Sequence, residues 1–297
     1  MNNQNETGPY NFGELASVDY NTVRPPESLA ARDGTLLKFR HYPADANRVV
    51  VALNGSSADG SHYNPLATAL STRNHASVYV LDLRGHGLSG GRRGDVDYIG
   101  QLEDDLADVL KYIRQKHSDA KLVLLGHSSG GGLAVRYAGS KRDADIHGYV
   151  LLAPFLGATV PTTRPASGGW TTTDMPKIME LAQRAARGDS AGQDQIVLRF
   201  TKPLSQRTGR EVLEYSFRMM ISYAPRMDLG SDLSAIHQPL LVMAGAEDES
   251  FIPEQYEPTI APHAKGTFKV LPGVSHLGVV VNPQAIEEVD AWLTANF

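Results

Sequence analysis

The chain has 297 residues, 41% of them hydrophobic, with a net charge of −5 and no cysteine. Those figures allow a large core and exclude disulfides, thiol catalysis and Cys-ligated metal. Lys and Arg are scattered beside acidic residues, so no basic footprint for nucleic acid is present. The first thirty residues are polar, and no run nears the ~20 apolar residues that cross a bilayer. The expectation is a cytoplasmic protein without stable membrane insertion.

Residues 1–27 are rich in Asn, Gly and Pro and read as an extended or loosely packed arm. Asp33-Gly34 then suits a tight turn between two strands. Continuous apolar runs follow at 49–53, 77–81, 121–125, 149–152, 240–243 and 268–271. Runs this short, without strict alternation, fit strands buried on both faces of a parallel sheet.

Helical spacing lies between the runs. Ile99, Leu102, Leu106, Val109, Leu110 and Ile113 share one face, with Asp97 as the expected cap. Asn282-Pro283 predicts a capped last helix with a stripe of Ile286, Val289, Trp292 and Leu293. Strand and helix alternate, which predicts an α/β doubly wound sheet, mostly parallel and eight-stranded. The alternation breaks after residue 154. Residues 155–237 read as a cap inserted after the sixth strand, with helix-like segments at 177–187, 193–200 and 210–223. The core is then 28–154 together with 238–297.

Gly126-His127-Ser128-Ser129-Gly130 is a G-x-S-x-G string that directly follows a strand and precedes a small-residue helix start. Glycines on both sides relieve crowding where the chain turns sharply, and the turn lifts the Ser128 hydroxyl above the carboxyl edge of the sheet. A serine needs a base to become a nucleophile. On such a sheet the partners come in the order Ser, acid, His. His276 follows the last strand and falls at the same edge as Ser128, whereas His263 precedes that strand and falls at the other end. Glu247, Asp248 and Glu249 crowd the loop after the 240–243 run. Asp248 is the preferred acid and Glu247 the second choice.

The developing oxyanion needs backbone donors. The Ser129 N–H, one residue beyond the nucleophile, is one. The Ser56 N–H in the loop Asn54-Gly55-Ser56-Ser57 is the other. Asn54, Gly55, Phe155, Trp170 and Met219 are the expected substrate contacts. No closely spaced histidine pair and no phosphate-loop string occurs, so neither metal nor cofactor is expected.

Asp82-Leu83-Arg84-Gly85-His86-Gly87-Leu88-Ser89, then Gly94-Asp95-Val96-Asp97 and Asp104-Asp105-Leu106, resemble the monoacylglycerol lipase and lysophospholipase branch of the α/β hydrolases, which is of serine aminopeptidase type. The loop from Asn54 to Tyr63, the serine string, Gly245 to Asp248 and Ser275-His276 continue that resemblance. Asn54 stands where the branch usually has His, and Ala58-Asp59 where it has Glu-His. The resemblance implies an α/β-hydrolase fold, a Ser128–His276–Asp248 triad and a small-molecule or lipid ester as substrate. The expected reaction is two-step acyl transfer through an acyl-enzyme. Thioesterase, peptidase or perhydrolase chemistry would fit the same triad, and a ligand-binding receptor on this scaffold is the rival from another class. The oligomeric state is left open.

Overall fold

A computed structural model describes residues 10–142 and 145–297. Six of its eight main-sheet strands fall on the six apolar runs. In chain order the strands are β1 (Glu27–Ala30), β2 (Leu36–Tyr42), β3 (Arg48–Leu53), β4 (Ser77–Asp82), β5 (Lys121–His127), β6 (Gly148–Leu152), β7 (Thr171–Thr173), β8 (Ile196–Phe200), β9 (Glu214–Ser216), β10 (Leu240–Glu247) and β11 (Thr267–Ser275). The eight-stranded sheet runs β1-β2-β4-β3-β5-β6-β10-β11. Within this sheet, among the described residues, only the β1–β2 and β2–β4 pairs are antiparallel. The β1–β2 hairpin turns at Asp33-Gly34, where Gly34 takes φ 84°. Val49, Val50, Val51, Val123, Leu124 and Leu125 are fully buried. This explains why their runs carry no polar alternation: both faces of the sheet are covered.

The helices are α1 (Asn64–Thr72), α2 (Gln101–Lys116), α3 (Ser129–Gly139), α4 (Met175–Ala186), α5 (Phe217–Ser222), α6 (Leu229–Ser234), α7 (Tyr256–Ile260), α8 (Gly278–Val281) and α9 (Pro283–Asn296). The Asn282 side chain caps α9 by accepting from the Gln284 N–H, and Ile286, Val289, Trp292 and Leu293 are buried as the stripe requires. Helix α2 begins later than Asp97 suggests. Gly100, at φ 107°, is its N-cap, because the Gln101 side chain turns back to accept from the Asp97 N–H at 2.6 Å and holds Asp97 outside the helix.

Between β6 and β10 the chain leaves the sheet. Residues 177–187 are largely helical, as α4. Residues 193–200 are not helical: they include β8, which pairs with β7 and β9 in a three-stranded antiparallel sheet. The β-branched pair Ile196-Val197 favours the extended form, and Val197 packs on Leu181 and Phe217. The 210–223 segment is divided between β9 and α5, with Ser216 capping α5 by accepting from Met219 N–H at 3.1 Å. The inserted block is therefore mixed strand and helix rather than helical.

The N-terminal segment is not loose either. Short 3-10 turns at Phe12–Ser17 and Tyr20–Thr22 lay it on the core, burying Tyr10 and Val18. Residues 1–9 of that reading lie outside the described residues. No helix among the described residues is long and apolar enough to cross a membrane.

One buried charge ties the antiparallel edge to the loops above it. Asp82 accepts from Arg40 Nη1 at 2.9 Å, Gly60 N–H at 2.8 Å and Leu88 N–H at 2.9 Å, with both side chains buried. Removing Arg40 leaves that carboxylate buried beside two amides only. We expect Arg40→Ala to lower unfolding free energy in urea by about 3–5 kcal/mol. Arg32→Ala, whose pair with Asp108 is half-exposed on the Arg side, should cost under about 1 kcal/mol. Equal losses in the two variants would contradict this ranking.

Candidate active site

The turn from β5 into α3 places Ser128. Its backbone sits at φ 54° and ψ −122°, a region that side-chain-bearing residues avoid. The Ser128 N–H donates to the Leu152 carbonyl at 2.9 Å, and the Phe155 N–H donates to the Ser128 carbonyl at 2.9 Å. The strain is thus held by neighbouring backbone. The glycines are required by contact. A Cβ on Gly126 would come within 2.3 Å of the Gly130 carbonyl oxygen, and one on Gly130 within 2.4 Å of the Leu53 carbonyl oxygen.

The loops after β10 and β11 bring up two more groups. His276 Nδ1 lies 2.9 Å from Asp248 Oδ2, and both residues are almost wholly buried. The other Asp248 oxygen accepts from the Ser250 and Phe251 N–H groups, each at 2.8 Å. Those bonds aim the carboxylate at the ring. A carboxylate accepts, so Nδ1 donates, which leaves Nε2 as the basic nitrogen. Glu247 ends β10 exposed. Glu249 accepts from the His276 N–H at 2.9 Å through one oxygen and from the Asn11 N–H at 2.8 Å through the other. The structure therefore pairs His276 with Asp248, while Glu249 fixes the backbone around it. His263 lies against Gly230, on the short helix α6.

Two cavities meet at Ser128. The larger, about 410 Å³, is bordered by Ser56, Ser129, Phe155, Trp170, Met220 and Phe251 among others. The smaller, about 60 Å³, is bordered by Tyr10, Phe12, Gly55, Ser56, His276 and Leu277 among others. Of the expected substrate contacts, Gly55, Phe155 and Trp170 line these spaces.

Met219 and Asn54 do not line them. Met219 is fully buried, and its neighbour Met220, one helical step round α5, faces the larger cavity instead. The Asn54 side chain is consumed by its own loop. Its amide donates to the Ala58 carbonyl at 2.9 Å and to Tyr223 Oη at 3.2 Å, and its oxygen accepts from the Leu83 N–H at 3.1 Å. A side chain so committed shapes the Gly55-Ser56 turn from behind.

The inserted block braces the same loop. Ser57, at φ 67°, donates its N–H to Tyr215 Oη at 3.0 Å, and Tyr215 is hydrogen-bonded to His86 Nε2. His86 Nδ1 lies 3.0 Å from the Arg84 carbonyl, so Nδ1 donates and the bare Nε2 accepts the Tyr215 hydroxyl. That relay needs a neutral imidazole, and burial holds His86 down to about 4. Burial likewise holds His62, beside the smaller cavity, at about 4. Burial, and next the charge of His276, push His127 well below the ordinary histidine range; its Nε2 donates to the His276 carbonyl at 3.0 Å.

Sequence reading passed over the N-terminal contributions. Tyr10 stacks on His276 at 4.9 Å and on Trp170 at 4.6 Å between ring centroids, and its hydroxyl bonds Ser250. Glu14 accepts from Ser275 Oγ at 2.8 Å. The one signal was the apolar spacing of Tyr10, Phe12, Leu15 and Val18 in a stretch otherwise rich in Asn, Gly and Pro.

The depressed histidines carry a pH dependence. Between about pH 6.5 and 4 the unfolded chain binds protons that folded His62 and His86 refuse, so stability falls as the pH is lowered through that window. Each costs about 2 kcal/mol at pH 5 relative to neutral pH. Urea unfolding from pH 7.5 to 5 should show this slope, and His62→Gln should flatten part of it. An unchanged slope in that variant would contradict the assignment.

The family model described as serine aminopeptidase, S33, matches residues 44–279. The monoacylglycerol lipase of Mycolicibacterium smegmatis is 27% identical over 139 residues, 46% of this chain and 49% of that protein. The monoglyceride lipase of Rattus norvegicus is 27% identical over 130 residues, 43% of this chain and 42% of that protein. The chain thus spans about half or less of the length of these curated relatives. A soluble variant of monoglyceride lipase from Saccharomyces cerevisiae, solved with a substrate analogue, superposes with a TM-score of 0.66 at 21% identity, covering 93% of this chain and 96% of that one. That likeness establishes the α/β-hydrolase fold.

Proposed function

The chain belongs to the serine aminopeptidase S33 family of α/β hydrolases, and on that footing we propose that it hydrolyses carboxylic esters with Ser128 as nucleophile, His276 as general base and Asp248 as its orienting acid. The observation that carries this reading is the 2.9 Å contact between His276 Nδ1 and Asp248 Oδ2 at a cavity that Ser128 also borders. Burial of both residues keeps water from competing for that bond.

In the proposed reaction His276 Nε2 takes the Ser128 proton as the hydroxyl oxygen attacks the ester carbonyl. The Ser56 and Ser129 N–H groups hold the resulting oxyanion. His276 then gives its proton to the departing alcohol, and the acyl group remains on Ser128. Water, deprotonated by the same imidazole, releases the acid. The imidazolium formed midway is stabilised by Asp248, whose oxygens stay hydrogen-bonded throughout.

The walls of the larger cavity suit an apolar acyl group. Phe155, Ile178, Leu198, Met220 and Phe251 supply apolar surface, and its volume lies within the ~300–1,000 Å³ range of small-molecule sites. Lipid-like esters of short to medium acyl length are the proposed substrates.

The experiment is acid release from ethyl esters of graded acyl length. Ser128→Ala and His276→Ala should each lower kcat by about 10⁴-fold or more, and Asp248→Asn by a comparable factor. Undiminished turnover in Ser128→Ala protein would overturn the reading. Wild-type activity on amides alone would overturn the ester assignment.

A further inference from the structure

The two cavities at Ser128 share four wall residues: Tyr10, Ser56, Ser128 and Trp170. They differ in what completes the wall. His276 borders the smaller cavity and not the larger; Ser129 borders the larger and not the smaller. If Ser128 is acylated as proposed above, the departing alcohol oxygen must receive its proton from His276. That oxygen, and whatever it carries, therefore lies in the smaller space. The acyl group lies in the larger one.

The smaller space is closed by residues that precede the sheet altogether. Phe12 and Leu15 line it together with Leu277 and Val280. The arm that carries them is fastened at both ends of the site. On the loop that carries Asp248, Glu249 accepts from Asn11, and at the end of β11, beside His276, Ser275 donates to Glu14. On the inserted block, Tyr10 and Phe12 contact the Trp170 ring at 4.6 and 6.0 Å between centroids. Tyr10, stacked between Trp170 and His276, is a partition between the two spaces. Lys202 supplies the polar end of the smaller one, its ammonium paired with Glu211 at 2.8 Å.

We propose that residues 10–15 form the wall of a leaving-group chamber, and that Phe12 and Leu15 restrict this enzyme to esters of compact alcohols. The inference rests on the esterase reading of Ser128 and adds the half of the substrate that reading leaves open. A substrate of this class joins a bulky apolar acyl group to an alcohol of a few heavy atoms. Asymmetry of this kind follows from volume: about 410 Å³ on one side of the nucleophile and about 60 Å³ on the other.

The test uses the full chain and octanoate esters of methanol, ethanol, butanol and benzyl alcohol. Wild-type kcat/KM should fall by at least about tenfold from the methyl to the benzyl ester, since each excess methylene in a tight pocket costs that order. Phe12→Ala and Leu15→Ala should narrow the ratio by about tenfold, and Phe12→Trp should widen it. The acyl-length profile at constant methanol should stay put in all three. Both residues are only part-buried, so folding is not at stake. An unchanged alcohol ratio, or a shift in the acyl profile instead, overturns the proposal. Should no ester turn over, the esterase reading fails on its own. The chamber is then read from the rate at which octylphosphonates with fluoride or 4-nitrophenoxide as leaving group modify Ser128. A fluoride preference relaxed by Phe12→Ala would uphold the chamber, and equal rates in both proteins would refute it.

Discussion

Everything in this site is referred to one strained turn. Ser128 holds a positive φ because the chain must reverse from β5 into α3 within a single residue. The reversal is possible only if β3, β5 and α3 pack backbone to backbone. The space left for a Cβ at Gly126 and Gly130 is 2.3 and 2.4 Å to a backbone carbonyl oxygen, which no side chain tolerates. The cost of the strained residue is met by hydrogen bonds with Leu152 and Phe155 around the end of β6 and with Gly132 in α3. The turn in turn fixes the edge of the sheet at which Ser128 stands. The loops after β10 and β11 reach that edge because all three strands run parallel through β6.

The remaining parts of the site come from segments that owe nothing to the sheet's own register. Tyr215 and Tyr223, in the inserted block, hold the loop after β3 through Ser57 and Asn54. Tyr10 and Glu14, ahead of the first strand, hold the loop after β10 at Ser250 and the end of β11 at Ser275. The inserted block is therefore a brace for the proposed oxyanion loop as well as a wall of the larger cavity. The arm plays the matching part on the histidine side. Neutral His86 is the hinge of this arrangement, since a proton on Nε2 would leave the Tyr215 hydroxyl without its acceptor.

The sheet was legible in the sequence because burial on both faces leaves an unbroken apolar signature of strand length. The convergence of Ser128, His276 and Asp248 at one edge was legible because chain order and strand–turn–helix context restrict which loops meet. Other features had no local signature. Strands β7 and β9 have three residues each, too few to show a period. Met219 and Met220 are adjacent on a helix, and only the packing of α5 decides which one turns inward. Asn54 reads as a polar residue beside a nucleophile. Its four-way commitment to Gly55, Ala58, Leu83 and Tyr223 depends on partners up to 169 positions away. The arm was misread for the same reason: its composition is that of a tail, and its order comes from aromatic contacts with Trp170 and His276 that no neighbouring residue announces.

In the proposed mechanism Ser128, His276 and Asp248 act as one unit rather than as three helpful neighbours. Residual kcat in Ser128→Ala, His276→Ala and the double variant tests this most directly. The double variant should be no slower than either single one, since a nucleophile without its base and a base without its nucleophile are equally idle. Losses that multiply, each substitution costing its full factor in the presence of the other, would show two independent contributions and contradict it.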